Sequence, residues 1–246
     1  MRNTVEILGV KIDKVSETEA LERAKDMLTT DGVSKIYTPN PEIIMSAQKD
    51  EEFKKILNKA DLCTADGIGV VYGAKMLGDP VPCRVAGFDL TCNILDYVKN
   101  TGDGVFLFGA KPGVAEIAKE KLKEKYEGIN ICGTNDGYFT DADIPTIIDK
   151  INESGARLIL VCLGAGKQEK WINDNAEKLT TVRLAMGVGG TLDVFAGNVK
   201  RAPEIFIKLN LEWLYRLAKQ PGRIGRYMAL PKFVIAVSKS KKGMKK

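Results

Sequence analysis

Hydrophobic and polar positions follow one recurring order along this chain: a short apolar run, a polar turn, and then a helical pattern. The run Ser34–Tyr37 leads into Thr38-Pro39-Asn40-Pro41, and the run 61–64 leads into Ala65-Asp66-Gly67. Further strands are predicted over 105–108, 129–132, 158–163 and 183–188. Repeated units of this kind predict an α/β fold with a doubly wound, mostly parallel, Rossmann-like sheet.

The two ends of the chain depart from this repeat. The first residues predict a hairpin around Gly9, and Ser16-Glu17-Thr18-Glu19 is a capping box that opens a helix. After Gly197 the composition changes, so we expect an α/β domain over residues 1–197 and a helical appendage over 198–246. Within the appendage, one amphipathic helix is predicted over 205–220 and a last short helix over 233–237.

Charge is distributed unevenly between these two parts. The whole chain carries a net charge of +5, but residues 201–246 hold twelve Lys and Arg against two acids, which leaves the rest at −5. A basic amphipathic appendage favours an anionic membrane surface as partner. Its apolar face could instead pack on the body of the protein or on another copy of the chain, so a homo-oligomer is an alternative. Nucleic acid is disfavoured because the basic residues are mixed with a wide apolar face.

The first residues have no long apolar run, and no segment approaches the ~20 apolar residues of a spanning helix. We therefore expect a cytoplasmic protein that lies peripherally on the inner face of the membrane. The five cysteines form no C-x-x-C pair, which favours reduced thiols over disulfides or zinc.

The chain contains no histidine, and this absence restricts the possible chemistry. It excludes Ser-His and Cys-His nucleophile pairs and metal sites that contain histidine. A general base must then come from Asp, Glu, Lys, Tyr or Cys. Asp66 is our candidate, because it lies in a turn between strand and helix. The alternative is that Asp66 is only the N-cap of the helix that follows it.

Turns at the carboxyl ends of parallel strands gather at one edge of a sheet, where ligands bind. Thr38, Asn40, Asp66 and Arg84 should therefore face one crevice. The glycines at 67 and 69 would let a ligand approach the backbone.

Three glycine-containing turns, at 109–110, 164–167 and 187–190, could offer backbone N–H groups to phosphates. Each could equally be a plain tight turn, but three of them in one sheet favour a nucleotide. Asp141-Ala142-Asp143 has the D-x-D form of some metal sites, although Asp143 is explained more simply as a helix cap. We therefore expect no metal and no other cofactor.

Together these short motifs resemble the WecG/TagA/CpsF family of bacterial glycosyltransferases, over about residues 7–226. The motifs are Thr38-Pro39-Asn40, Ala65-Asp66-Gly67 with Gly69, Arg84 with Gly87-Phe88-Asp89-Leu90, Phe108-Gly109-Ala110, residues 133–138, Gly164-Ala165-Gly166-Lys167-Gln168-Glu169, Val188-Gly189-Gly190, Asp193, Ala196-Gly197 and Arg201-Ala202-Pro203. Each is short, but their order and spacing make the whole specific.

The resemblance implies a reaction of wall teichoic acid synthesis. An inverting, metal-independent transfer would move N-acetylmannosamine from UDP-N-acetylmannosamine (UDP-ManNAc) to undecaprenyl-diphosphate-linked N-acetylglucosamine (GlcNAc). Two alternatives remain open. One is the same chemistry with another UDP-sugar, such as UDP-N-acetylmannosaminuronic acid (UDP-ManNAcA) or a UDP-hexose. The other is a non-catalytic nucleotide-binding module.

The resemblance also implies roles for individual residues. The catalytic base falls on Asp66; Thr38, Asn40 and Gln168 line the same pocket, and Arg84 meets the diphosphate. The residues implied in substrate binding are Tyr138, which would stack on uracil, Asp193, which would bind the ribose hydroxyls, Gly189, Gly190, and the appendage arginines Arg216, Arg223 and Arg226.

Overall fold

The fold is known from a computed structural model that describes residues 2–209, 211–219 and 228–243. Its centre is a six-stranded sheet in which all strands are parallel, in the order β4-β3-β8-β7-β5-β6. The strands are β3 (Ser34–Tyr37), β4 (Leu62–Cys63), β5 (Gly104–Gly109), β6 (Ile131–Asn135), β7 (Ala156–Cys162) and β8 (Leu184–Gly187). The predicted doubly wound α/β fold is confirmed.

Helices cover both faces of the sheet. One face carries α2 (Pro41–Ala47), α3 (Glu51–Asn58), α4 (Ile68–Leu77), α7 (Ile144–Glu153) and α8 (Lys167–Asn175), and the other carries α1 (Glu17–Thr29), α5 (Gly87–Val98), α6 (Val114–Lys125) and α9 (Thr191–Phe195). Successive residues of β7 point to opposite faces, so Ile159 joins the first core and Leu160 the second. Because both faces are buried, the central strands are apolar throughout, as parallel strands usually are.

The predicted N-terminal hairpin is present and protects one edge of the sheet. Strands β1 (Thr4–Ile7) and β2 (Val10–Asp13) pair antiparallel. The buried carboxylate of Asp13 accepts the N–H of Cys63 on edge strand β4 at 2.8 Å, and it pairs with Arg2 and Arg23. An open edge N–H is thus satisfied by a side chain, and the short strand that precedes Asp66 is held in place.

The last helices differ from their prediction. The single helix expected over 205–220 is wrong, because the structure has α10 (Glu204–Lys208) and α11 (Glu212–Lys219), and residue 220 lies outside the described part. The N–H of Leu211 reaches back to the carbonyl of Phe206 at 2.7 Å, which closes α10 with a wider turn and interrupts the helical ladder. In the part of the chain that the structure describes, a bilayer-crossing helix is absent: every helix falls short in length or in apolar content.

Strand β6 is also displaced from its prediction over 129–132. It begins at Ile131 and extends to Asn135, because its pairing with β5 continues to the pair Phe108 and Asn135. As an edge strand it tolerates polar residues that an interior strand would exclude.

Strands β3 and β8 lie side by side, but the chain leaves them in opposite directions. After β3 the chain enters α2 on one face, and after β8 it enters α9 on the other. Neighbouring strands that diverge in this way leave a crevice at their carboxyl ends, which is where ligands bind in open α/β sheets.

The chain's last described helix, α12 (Ala229–Gly243), packs on the body against α2 and α4. It is longer than the predicted helix over 233–237, and Phe233 and Val237 are fully buried in the first core. Helix α4 makes room for it with two glycines one turn apart. A Cβ on Gly69 would lie 2.7 Å from Leu230, and one on Gly73 would lie 2.9 Å from Phe233. The close approach at Gly69 therefore serves helix packing, and both Gly67 and Gly69 also line the cavity at the crevice.

We expect Phe233→Ala to lower the free energy of unfolding by about 3–5 kcal/mol, since it removes a fully buried ring from a closely packed contact. Urea unfolding monitored by circular dichroism measures the loss. The neighbouring Val234 is 39% exposed, so Val234→Ala serves as control and should cost under about 1 kcal/mol. Similar small losses in both variants would contradict the docking of α12 into the core.

Candidate active site

A cavity of about 380 Å³ opens at the crevice between β3 and β8. Its walls come from the turns that follow β3, β4, β7 and β8, from the loop before α5, and from α11 and α12. This volume is typical of a small-molecule site. Of the twelve residues predicted for the site, eight lie on its lining: Thr38, Asn40, Asp66, Arg84, Gln168, Gly189, Gly190 and Asp193.

Asp66 lies half-buried in the turn that follows β4. It is not the N-cap of α4, because that position is held by Gly67 with a φ of 86° and without a side-chain capping bond. The carboxylate of Asp66 instead accepts the N–H of Gly87, the first residue of α5, at 3.3 Å. A negative charge is favourable at a helix N-terminus. The N-cap interpretation of Asp66 is therefore wrong for its own helix.

The turn after β3 brings two polar side chains to the cavity. Asn40 caps α2, because its Oδ1 accepts the N–H of Ile43 at 3.0 Å. Its amide nitrogen is not needed for this cap. Thr38 is nearly buried against α5, where a Cβ on Gly87 would lie 2.6 Å from its hydroxyl oxygen. A glycine at the start of α5 is thus required for Thr38 and Asp66 to approach this helix together.

Gln168, at the start of α8, joins the turns after β7 and β8. Its Oε1 accepts the N–H of Gly189 at 3.0 Å, and its Nε2 donates to the carboxylate of Glu169 at 2.9 Å. Gly189 has a φ of +57°, in the left-handed region. The bond to Gly189 holds the Gly189–Gly190 turn against the start of α8, and Asp193 lies in the first turn of α9.

Arg84 belongs to a chain of alternating charges at one side of the cavity. Its guanidinium lies 3.4 Å from the carboxylate of Glu212 on α11 and 3.7 Å from that of Asp89. Asp89 also pairs with Arg201, whose guanidinium stacks 4.7 Å above the ring of Phe88. Two arginines thus face two carboxylates, and these four groups together carry no net charge.

The other predicted site residues lie elsewhere. Tyr138 is 68% exposed on the loop after β6 and is not on the cavity lining. Arg216 falls within α11, but its side chain lies outside what the structure describes. Arg223 and Arg226 lie wholly outside the described residues. Of the three glycine turns, those after β7 and β8 line the cavity, whereas the turn at 109–110 does not.

The D-x-D motif has a structural explanation. The carboxylate of Asp143 accepts both the N–H and the hydroxyl of Thr140 at 2.8 Å, which closes the 3₁₀ turn leading into α7 and lowers the pKa of Asp143. Across residues 2–209, 211–219 and 228–243, no group of three or more cysteine, aspartate or glutamate side chains is placed to hold a metal ion. Metal independence remains a prediction.

Sequence reasoning missed several residues that build the cavity. Glu212, Trp213 and Leu230 line it from the last helices, and Arg201, which pairs with Asp89, lines it from the loop before α10. The Arg201-Ala202-Pro203 motif is the one local signal among these. The other three are brought in by long-range packing.

Comparison with known proteins places these observations in a family. The profile described as "Glycosyl transferase WecG/TagA/CpsF family" matches residues 5–246. A relative from Bacillus spizizenii is 40% identical over 211 residues, which cover 86% of this chain and 81% of the relative. One from Staphylococcus aureus is 35% identical over 244 residues, with 98% and 95% covered. Both are named N-acetylglucosaminyldiphosphoundecaprenol N-acetyl-beta-D-mannosaminyltransferase.

The charge pairing at Arg84 gives a testable expectation. Glu212→Gln should raise the affinity for inorganic diphosphate about three- to tenfold, since it removes a negative charge that competes for the Arg84 guanidinium. Titration calorimetry at low salt measures this, and the gain should shrink as salt is added. Glu120→Gln, on the exposed side of α6, controls for net charge. Unchanged or weaker binding by Glu212→Gln alone would contradict the competition.

Proposed function

The chain belongs to the WecG/TagA/CpsF family of glycosyltransferases, and on that premise we propose that it transfers N-acetylmannosamine from UDP-ManNAc to undecaprenyl-diphosphate-linked GlcNAc with inversion. The names of the relatives support this acceptor and this sugar. The observation that carries the proposal is the position of Asp66, which follows β4 and lines the cavity at the crevice between β3 and β8.

The proposed chemistry is a single displacement. The acceptor hydroxyl oxygen bonds to the anomeric carbon of the donor sugar, and the bond from that carbon to the diphosphate oxygen breaks. Asp66 accepts the hydroxyl proton, since an inverting transfer needs one base on the attacking side and the chain has no histidine. UDP leaves with the electron pair of the broken bond.

Positive charge is required where UDP departs. Arg84 and Arg201 are the described cations on the lining, and Arg84 would exchange a carboxylate partner for the diphosphate. Thr38, Asn40 and Gln168 would bind the sugars, whereas Gly189, Gly190 and Asp193 would bind the uridine part. We further propose that Arg216, Arg223 and Arg226 complete the site from the appendage, and that no metal takes part.

The lipid acceptor implies that the protein works at a membrane. Exposed apolar side chains lie on α10, at its C-cap and on α11: Ile205 and Leu209, both more than 60% exposed, and Leu214. Trp213, beside them, lines the cavity. With the basic composition of residues 198–246, this surface is suited to an anionic bilayer. We therefore propose peripheral binding to the inner face of the membrane through this appendage, with self-association of the same surface as the alternative.

Two other functions can be separated experimentally. The same fold could use UDP-ManNAcA or a UDP-hexose, because sugar specificity rests on a few hydrogen bonds in the pocket. A nucleotide-binding module without catalysis would bind UDP but would release none from a donor. Release of UDP that depends on a lipid-diphosphate acceptor distinguishes transfer from binding.

We expect Asp66→Asn to reduce acceptor-dependent UDP release by at least about 10³-fold, since an amide cannot accept the hydroxyl proton. The assay uses UDP-ManNAc, a short-chain prenyl-diphosphate-GlcNAc and EDTA, and UDP binding is measured in parallel and should be retained. Asp149→Asn, at an exposed site on α7, is the control. Near wild-type turnover by Asp66→Asn would refute the assignment of the base.

We expect Ile205→Glu/Leu209→Glu to weaken binding to phosphatidylglycerol vesicles about tenfold or more, because two apolar side chains can no longer enter the interface. Vesicle co-sedimentation measures the change. Ile117→Glu, at a 47% exposed position on α6, adds the same type of charge elsewhere. If Ile117→Glu weakened binding equally, the membrane surface would have to be sought away from α10.

A further inference from the structure

Glu169, beside Gln168 at the start of α8, is a buried acid for which the proposed reaction has no use. It is 1% exposed. Its Oε2 accepts the N–H of Gly166 at 2.7 Å, and its Oε1 accepts Nε2 of Gln168 at 2.9 Å. The first bond is the usual capping-box contact. The second is not required by a cap, and it joins the buried acid to a cavity residue.

The partners of Gln168 determine which way its amide points. The Glu169 carboxylate only accepts hydrogen bonds, and the N–H of Gly189 only donates. The amide nitrogen must therefore face Glu169, and the amide oxygen must face Gly189 at 3.0 Å. A flipped amide would place nitrogen against an N–H and oxygen against a carboxylate. Both contacts would then be repulsive.

The surrounding structure is built closely around this pair. A Cβ on Gly187 would lie 2.9 Å from the Nε2 of Gln168, so a larger residue in β8 would displace the amide. From β3, the buried hydroxyl of Tyr37 donates to the backbone carbonyl of Glu169 at 3.2 Å. The pair is thus fixed by the two strands, β3 and β8, that border the crevice.

We infer that Glu169 is a positioning residue, which orients the Gln168 amide so that one N–H and one oxygen lone pair remain for a neutral polar group of the bound sugar. This inference rests on the proposed function for its ligand. A hydroxyl or an acetamido group can both give and accept a hydrogen bond, as this arrangement requires. A phosphate oxygen offers only acceptors and would leave the amide oxygen unmatched.

A single substitution separates this role from that of a cap. In Glu169→Gln, a single amide oxygen replaces the two carboxylate oxygens that accept from Gly166 N–H and Gln168 Nε2. One of these buried donors therefore loses its partner. Exchanging the two side chains restores every bond. In Gln168→Glu/Glu169→Gln, the carboxylate at position 168 accepts hydrogen bonds from the N–H of Gly189 and from the side-chain amide nitrogen at position 169. The side-chain amide oxygen at position 169 accepts the N–H of Gly166. The exchange therefore repairs the network but presents a carboxylate to the cavity instead of an amide.

The orientation can be observed without any assay of activity. Val-Gly occurs once in the sequence, at Val188–Gly189. Labelling valine carbonyl carbons with ¹³C and glycine nitrogens with ¹⁵N therefore isolates one NMR signal, the amide of Gly189. Its proton should move upfield in Glu169→Gln, where the bond to Gln168 weakens, and should return downfield in the exchange variant, where the acceptor is charged.

Activity and melting temperature then decide between the two roles. We expect Glu169→Gln to lower Tm by about 3–8 °C and kcat/KM about 10- to 100-fold. The exchange variant should recover Tm to within about 2 °C of wild type but stay at least tenfold impaired in kcat/KM. Glu177→Gln, an exposed acid after α8, is the control.

Three results would overturn the inference: wild-type kcat/KM in Glu169→Gln, recovery of kcat/KM together with Tm in the exchange variant, or an unmoved Gly189 signal in Glu169→Gln. Failure of the proposed function is distinguishable, because wild type would then transfer no sugar from any UDP donor. The Gly189 signal and Tm would still test the orientation of Gln168.

Discussion

The divergence of the chain at the ends of β3 and β8 is the constraint on which the site depends. The helices that follow two neighbouring parallel strands usually pack on the same face of the sheet, and their connections then close over the ends of both strands. Here those helices leave to opposite faces, so the ends of the two strands stay open and a crevice remains. Thr38 and Asn40 enter it from one side, and the Gly189–Gly190 turn enters from the other. Gln168 fixes the second side, because its amide oxygen accepts the N–H of Gly189.

Charge organises the rest of the site. Without histidine, the cavity relies on carboxylates and guanidinium groups, and each described carboxylate at its edge has a specific partner. Asp66 faces the first N–H of α5, whereas Glu212 and Asp89 share Arg84. Pairing each arginine with a carboxylate offsets part of the free-energy cost of removing these charges from water. Under the proposed function, it would also let an anionic substrate bind by exchange of partners, without the desolvation of an unpaired cation.

The features that could be predicted from sequence are those with local causes. Apolar runs and turns predicted the strands, Ser16 and Glu19 predicted the first capping box, and strand ends placed Asp66 and Thr38 in one crevice. The pairing of β3 with β8 joins segments far apart in sequence, so no local pattern encodes it. The break before Glu212 and the docking of Phe233 depend on tertiary packing in the same way. Tyr138 belongs to a stretch that resembles the family, yet it lies away from the cavity lining. A family motif therefore does not by itself place a side chain on the cavity.

The two glycines of α4 have a consequence for the order of assembly. Gly69 and Gly73 form a flat strip that α12 covers, and α12 is made long after α4. During synthesis the sheet can form while this strip is still open to water, one turn away from Asp66. The cavity acquires its Leu230 wall only when α12 emerges and docks. Nascent chains on the ribosome therefore carry Asp66 before they have a closed site, and during that interval the strip on α4 is exposed to water.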